Sequence, residues 1–197
     1  MFAIVKDGAI TETGSSVQRM FPNTSFAGSP NADFLRENNV MDVVNGEKKN
    51  EQYYFVVQGD ITLVDGVPTQ AYTNTAMALE DADAKDKDGN QIYVQVWDAS
   101  ANDGDGGMVD TSEKQINYGL KTGMTNKVKT TANSMLATTD WMVIRKAERD
   151  VAIPSATATY RAAVLTECTR LESAIDGAGD VDALQTVMEG QNWPKES

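Results

Sequence analysis

The sequence predicts an α+β protein in which a small antiparallel β domain precedes a C-terminal helical bundle. Runs rich in β-branched and aromatic residues alternate with Gly-containing turns through residues 1–108, a pattern typical of short antiparallel strands. From residue 109 onward the apolar residues recur every three or four positions, as they do along amphipathic helices. Because the period changes near residue 108, we predict two domains, 1–108 and 109–197.

A hairpin is predicted at the start of the chain. Phe2–Val5 is a short apolar run, and Ile10–Thr13 is a second extended segment. Asp7 and Gly8 lie between them, and this dipeptide favours the tight turn of a two-stranded hairpin. The segment 20–30, which is rich in Pro, Gly and small polar residues, is expected to be a loop pinned by its phenylalanines.

The strongest β pattern lies in residues 53–73. Tyr53–Val57, Ile61–Val64 and Gln70–Thr73 are separated by turn residues around Gly59 and Gly66. Alternating β-branched and aromatic residues bounded by glycine are typical of strands. We therefore predict a meander of three strands here.

A further strand is predicted over Gln91–Trp97, where apolar and polar residues alternate. The segment Thr73–Leu79 is its expected partner.

Two acidic segments, 81–90 and 102–107, resemble calcium-binding loops in composition. In an EF-hand the invariant glycine fixes the positions of the ligands. Aligning either glycine places Ala84 or Ala101 at the first ligand position and an uncharged Gln or Ser at the twelfth. The segments are therefore interpreted as solvated turns, with a weak cation site left as the alternative, and no metal site or cofactor is predicted.

Four helices are predicted, near 112–136, 141–149, 156–176 and 181–189. The first would begin at a cap around Asp110 to Glu113, and Gly119 and Gly123 would each weaken it by up to about 1 kcal/mol. The apolar stripes of these helices indicate an intramolecular core. Such a bundle is small, so contacts with another subunit are expected to add stability.

Several classes of catalytic site are excluded by composition. The chain has no His and only one Cys, so a conventional triad lacks its imidazole base. Cys168 falls within a helical stripe of apolar residues and is expected to lie in the core. The sequence contains no Gly-x-Ser-x-Gly elbow and no Walker loop. We therefore predict that the protein is not an enzyme.

The charge distribution disfavours nucleic acid and membranes as partners. Residues 1–110 carry 18 acidic and 7 basic side chains, a net charge of -11, whereas residues 111–197 carry 11 and 10, a net charge of -1. Phosphate binding requires clustered Lys and Arg, and anionic membrane surfaces attract the same residues. The start of the chain has no pattern of a signal peptide, and no apolar run reaches the length of a membrane span.

Three short motifs, taken in order, suggest a family. They are Thr139 to Trp141, Thr159 to Arg161, and Trp193-Pro194. In this order they resemble the C-terminal module of tailed-phage tail proteins, which is often labelled a tail assembly chaperone. The resemblance covers residues 120–197. The module also occurs behind strand-rich segments in tail fibre or virion structural proteins of cyanophages, whose beginnings are similar to Met1–Val5 and Phe21–Phe26 here.

The resemblance implies a virion protein of the tail, baseplate or fibre region, made in the host cytoplasm and acting through contacts with other tail, baseplate or fibre subunits. A homo-oligomer or a multi-copy assembly is expected. The alternatives are an assembly chaperone absent from the mature particle and, less favoured, a tail enzyme acting on glycans. Candidate interaction residues are Trp141, Arg145, Arg149 and Trp193.

Overall fold

The computed structural model describes residues 1–195 and divides the chain into two compact units, one ending at Ala76 and one beginning at Met77. Both strands and helices are present, and the α+β class is confirmed. The division at 76/77 differs from the predicted boundary at 108/109. Strands on either side of residue 108 pair with each other, so residues 77–119 belong with the helices.

The first unit opens with the predicted hairpin. Strands β1 (Phe2–Lys6) and β2 (Ala9–Gly14) are antiparallel, and β3 (Val40–Asp42) pairs with the other edge of β1. Asp7 and Gly8 both have positive φ angles, 51° and 73°, as a type I′ turn requires. The sheet order is β2-β1-β3.

Two short helices cover this sheet, α1 (Val17–Met20) and α2 (Ala32–Glu37). The ring of Phe34 on α2 meets the rings of Phe21 and Phe26 edge-on, at centroid distances of 5.1 and 4.9 Å. The segment predicted to be a loop pinned by aromatics is thus held by α2. The buried residues beneath are Ile4, Val17, Met20 and Val40.

The second sheet of this unit consists of β4 (Val44–Asn45), β5 (Tyr54–Val64) and β6 (Val67–Ala76), in the order β4-β6-β5. β5 and β6 form one long antiparallel hairpin. The prediction of three strands was wrong, because a single strand spans the first two predicted segments.

Gly59 lies in a β-bulge and does not form a turn. The register of β5 against β6 shifts between Gln58 and Ile61. The side chain of Gln70 donates to the Gly59 carbonyl at 2.6 Å and accepts from Gln58 at 2.8 Å. A bulge leaves backbone groups unpaired, and the buried Gln70 side chain satisfies one of them.

The second unit begins with two antiparallel strand pairs. β7 (Ala82–Asp83) pairs with β10 (Ile116–Asn117), and β8 (Tyr93–Asp98) pairs with β9 (Gly107–Lys114). The partner of the predicted 91–97 strand is therefore β9, and the expected pairing with 73–79 was wrong.

The first long helix, α3 (Leu120–Ala137), begins eight residues later than predicted. Residues 112–119 are instead taken up by β9, β10 and the cap of the helix. Asp81 supplies the cap, since its carboxylate accepts from the Gly119 N–H at 2.7 Å and from the Thr122 hydroxyl at 2.9 Å. A partner distant in sequence therefore sets the start of this helix.

The other helices are α4 (Asp140–Arg149), α5 (Ser155–Asp176) and α6 (Val181–Glu189), and their bounds coincide with the predicted ones within one residue. α5 packs on α3 and α6. Cys168 is buried on α5, as the sequence predicts. The core of the bundle comprises Met124, Val128, Ala132 and Leu136 of α3, Tyr160, Val164, Leu171 and Ile175 of α5, and Val181, Leu184 and Met188 of α6.

Candidate interaction surfaces

Helix α4 is the one long helix of the described chain, residues 1–195, that contains no buried residue. Trp141, Val143 and Ile144 are all exposed, Trp141 by 52% and Ile144 by 56%. Amphipathic helices gain most of their stability from a packed apolar side. Trp141 and Ile144, which are three residues apart and share one side of α4, lack such a cover within the described chain.

Three of the four candidate residues share this helix. Trp141, Arg145 and Arg149 are spaced four residues apart and therefore lie on one side of α4. The guanidinium of Arg145 lies 4.8 Å from the centre of the Trp141 ring, a cation–π contact. The Arg145 Nε is buried without a hydrogen-bond acceptor, and Arg149 is exposed.

The start of α4 is fixed by Arg161 of α5. Its guanidinium donates to the Leu136 carbonyl at 2.9 Å, to the Thr139 hydroxyl at 2.6 Å and to the Asp140 carboxylate at 2.9 Å. Two motifs that the sequence analysis singled out separately, Thr139 to Trp141 and Thr159 to Arg161, thus meet in space. The contact orients an exposed helix on a rigid support. The apolar periodicity of the sequence did not predict this contact, because Arg161 is polar.

Trp193, the fourth candidate, lies on a different element, the segment after α6. It is half-buried, and its indole N–H donates to the Gln191 side chain at 2.8 Å. The structure therefore does not place Trp193 on α4, and the four candidates do not share one helix.

A buried carboxylate holds the segment that carries Trp193. Glu167 of α5 accepts from the Asn192 N–H at 2.7 Å and from two nitrogens of Arg170, each at 2.7 Å. Arg170 also donates to the Gly190 carbonyl at 3.1 Å. The hydrogen bonds from Arg170, and then that from Asn192, hold the pKa of Glu167 below its usual value. These hydrogen bonds attach the segment that follows α6 to α5.

The β8–β9 hairpin is a second exposed surface, and the sequence analysis did not identify it. Trp97 and Met108 are paired across the two strands and are 65% and 55% exposed. The pair shares its side of the hairpin with Asp110, and a 3-10 turn at Asn102–Gly104 forms the tip. The hairpin, residues 93–114, contains five carboxylates and a single basic residue, Lys114, which pairs with Asp83. The hairpin therefore combines apolar and acidic groups.

The acidic segments form turns held by their own side chains. Asp86 accepts from the backbone N–H groups of Asp88 and Asn90 at 2.8 and 2.9 Å and from the Asn90 side chain at 3.1 Å. Asp98 accepts from Ser100 in the same manner. These hydrogen bonds lower the pKa of both carboxyls. Within residues 1–195, no three acidic or thiol groups converge as metal ligands would.

An open pocket beside the start of α3 is lined by Glu80, Asp81 and Asp176 among others. Glu80 pairs with Lys121 at 2.5 Å, and Asp81 caps α3. A glycan-cleaving site needs one carboxyl to act as acid and another as base or nucleophile. The hydrogen bonds of Glu80 and Asp81 are structural, so the pocket lends the glycan-acting alternative no support.

Comparison with known proteins leaves the family open. No protein-family model matches the chain, and neither the curated proteins nor the solved structures include a match. Among residues 1–195 there is no helix with the length and apolarity that crossing a bilayer requires.

Proposed function

We propose that this protein is a structural component of a bacteriophage virion, in the tail, baseplate or fibre region, and that it acts through contacts with neighbouring subunits. The observation that carries the proposal is α4, a helix with an exposed apolar side and no buried residue. Such a surface costs solubility unless a partner covers it. The order of the three C-terminal motifs supplies the phage context.

The packing of the C-terminal segment favours a virion part over the alternative, an assembly chaperone. A chaperone that binds through a terminal helix would leave that helix ordered only on its client. Here α6 buries Val181, Leu184 and Met188, and Glu167 ties down the residues that follow. The terminal helix is therefore already part of the core.

Quantitative mass spectrometry of purified particles and of the soluble lysate tests the proposal. We expect the protein in purified particles at a fixed ratio to an established tail protein of the same phage. A nonstructural protein of the same phage measures contamination by lysate. Presence in the lysate alone would contradict the proposal and favour the chaperone.

A further inference from the structure

We propose that two copies of this chain bind head to tail, with α4 of one copy seated against the β8–β9 hairpin of the next. The proposal rests on the proposed function, since it names one partner of the exposed helix α4. The α4 face comprises Trp141, Ile144, Arg145, Glu148 and Arg149. The hairpin face comprises Trp97, Met108 and Asp110, with Asp105 in the connecting turn at its tip.

The two faces are complementary in charge. The α4 face carries Arg145 and Arg149, whereas the hairpin, residues 93–114, holds five carboxylates and one basic residue, Lys114, which pairs with Asp83. Glu148 lies on the α4 face as well, three residues after Arg145, so the face has two arginines and one carboxylate. Opposite charges across an interface steer association and fix its register.

The two faces also match in their apolar content. Trp97 and Met108 project from the hairpin face, and Trp141 and Ile144 from the α4 face, each more than half exposed. Exposed aromatic residues beside arginine are typical of the energetic centre of an interface. Because all four side chains are exposed in the single chain, the faces do not cover each other within one copy.

Charge argues against pairing of like faces. Two hairpins placed together would bring two clusters of carboxylates into contact, and like charges placed directly opposite are destabilising. Two α4 faces would likewise oppose arginines. A contact between different faces avoids both costs. It leaves one free face at each end of a dimer, so association continues into a closed ring or an open filament.

The contact area between the two faces is small, so we expect a low affinity. α4 has 10 residues and is therefore about 15 Å long, and the hairpin strands are of similar length, about 20 Å. Such faces bury less than the roughly 800 Å² per partner of a standard stable interface. We expect a dissociation constant of about 10–100 μM, at which a free chain is largely monomeric and a crowded particle is assembled.

Sedimentation velocity of the purified full chain tests the proposal, with protein from about 1 μM to about 1 mM to span the expected constant. The wild type should shift from the 21.3 kDa monomer to larger species. Two variants reverse the charge of one face each: Arg145→Glu/Arg149→Glu on α4 and Asp105→Lys/Asp110→Lys on the hairpin. Each should weaken association at least about tenfold. Arg149, Asp105 and Asp110 are exposed and Arg145 is half-buried, and circular dichroism checks that the variants fold.

The mixture of the two variants separates head-to-tail pairing from other modes. Each variant keeps one intact face, and the two reversed faces are complementary to each other, so neither variant should associate alone while the mixture should form alternating assemblies like those of the wild type. Combining all four substitutions in one chain should restore association. Lys127→Glu/Lys129→Glu, which makes the same change of charge on α3, should behave as the wild type.

A wild type that stays monomeric to about 1 mM, a mixture of the two variants that stays monomeric, or reversals without effect would each overturn the proposal. None of these results bears on whether the protein is present in particles. Conversely, absence from particles would leave a measured self-association intact, so the failure of one proposal is distinguishable from the failure of the other.

Discussion

Glu167 links helix α5 to the segment after α6 through a single carboxylate. It is 8% exposed, and it receives hydrogen bonds from Arg170 on its own helix and from the backbone of Asn192 beyond α6. A buried carboxylate without partners would be costly. Here every contact favours the charged form, so the residue stabilises the terminal segment while it remains ionised.

Replacing this side chain should destabilise the protein. Glu167→Ala removes the acceptor for the Asn192 N–H and two charge-assisted bonds, and we expect a loss of about 1–3 kcal/mol. Urea unfolding at pH 7 measures the change. Glu148→Ala, which removes an exposed carboxylate of α4, is the control and should stay within about 0.5 kcal/mol of the wild type. Equal effects of the two substitutions would contradict this role.

The lowered pKa of Glu167 also predicts a pH dependence. An unfolded glutamate titrates near about 4.3, so below that pH the unfolded chain binds a proton that the folded chain resists. The stabilisation is therefore complete above the unfolded pKa and is lost as the pH falls through the folded pKa. The measurement is urea unfolding of the wild type and Glu167→Gln between neutral pH and about pH 3. Their difference in unfolding free energy should shrink toward acid, and a constant difference would exclude a contribution from ionisation.

Single residues of the core could be predicted from the sequence, whereas the polar residues that connect elements could not. Val164, Cys168 and Leu171 lie in a helical stripe, and periodicity alone places them in the core. Arg161 and Glu167 act across 20 or more residues of sequence. Their partners become neighbours only after the helices pack, so local patterns contain no trace of them.

At the scale of elements, the start of α3 shows how a distant contact overrides a local pattern. Ile116 continues the apolar spacing of the helix, yet it belongs to β10. The pairing of β9 with β8 and the cap from Asp81 decide the boundary. The backbone at Gly119 leaves no room for a larger residue, because a Cβ there would lie 2.5 Å from the carbonyl of Glu80.

The two glycines near this boundary should therefore respond in opposite ways. Gly119→Ala introduces that overlap and should destabilise the protein by about 1–3 kcal/mol. Gly123 lies within α3 with nothing near its missing Cβ, so Gly123→Ala should stabilise by about 0.5–1 kcal/mol through helix propensity. Thermal unfolding of both variants checks the pair. A loss from both would mean that the helix tolerates no added methyl group in this region.

The strand pattern failed in a similar way at Gly59. Glycine within a run of β-formers predicts either a turn or a bulge, and the choice depends on whether the backbone reverses. The buried Gln70 amide donates to the Gly59 carbonyl from the facing strand, and so supports the bulge. The Asp65–Gly66 turn could be predicted from the sequence, because Asp and Gly are residue types that favour the positive φ angles of a tight hairpin turn. The two residues have φ angles of 51° and 79°.

At the scale of the whole molecule, the position of the unit boundary can be tested with fragments. A cut at 76/77 leaves every strand pair and helix contact of the second unit intact. A cut at 108/109 separates most of β9 from β8 and separates β10 from β7, and it also removes Asp81 from the start of α3. The fragment 77–197 should therefore fold, whereas 109–197 should lose stability.

Circular dichroism and urea unfolding of the two fragments distinguish these outcomes. We expect a single cooperative transition for 77–197, because its helices and hairpins share one set of contacts. The fragment 109–197 keeps the packing of α5 on α3 and α6, so it should retain the helical signal. Because it lacks the Asp81 cap and the pairing of β9 with β8, it should unfold at a lower urea concentration than 77–197. Equal midpoints for the two would place the boundary nearer residue 108 and would reduce residues 77–108 to an appendage of the bundle.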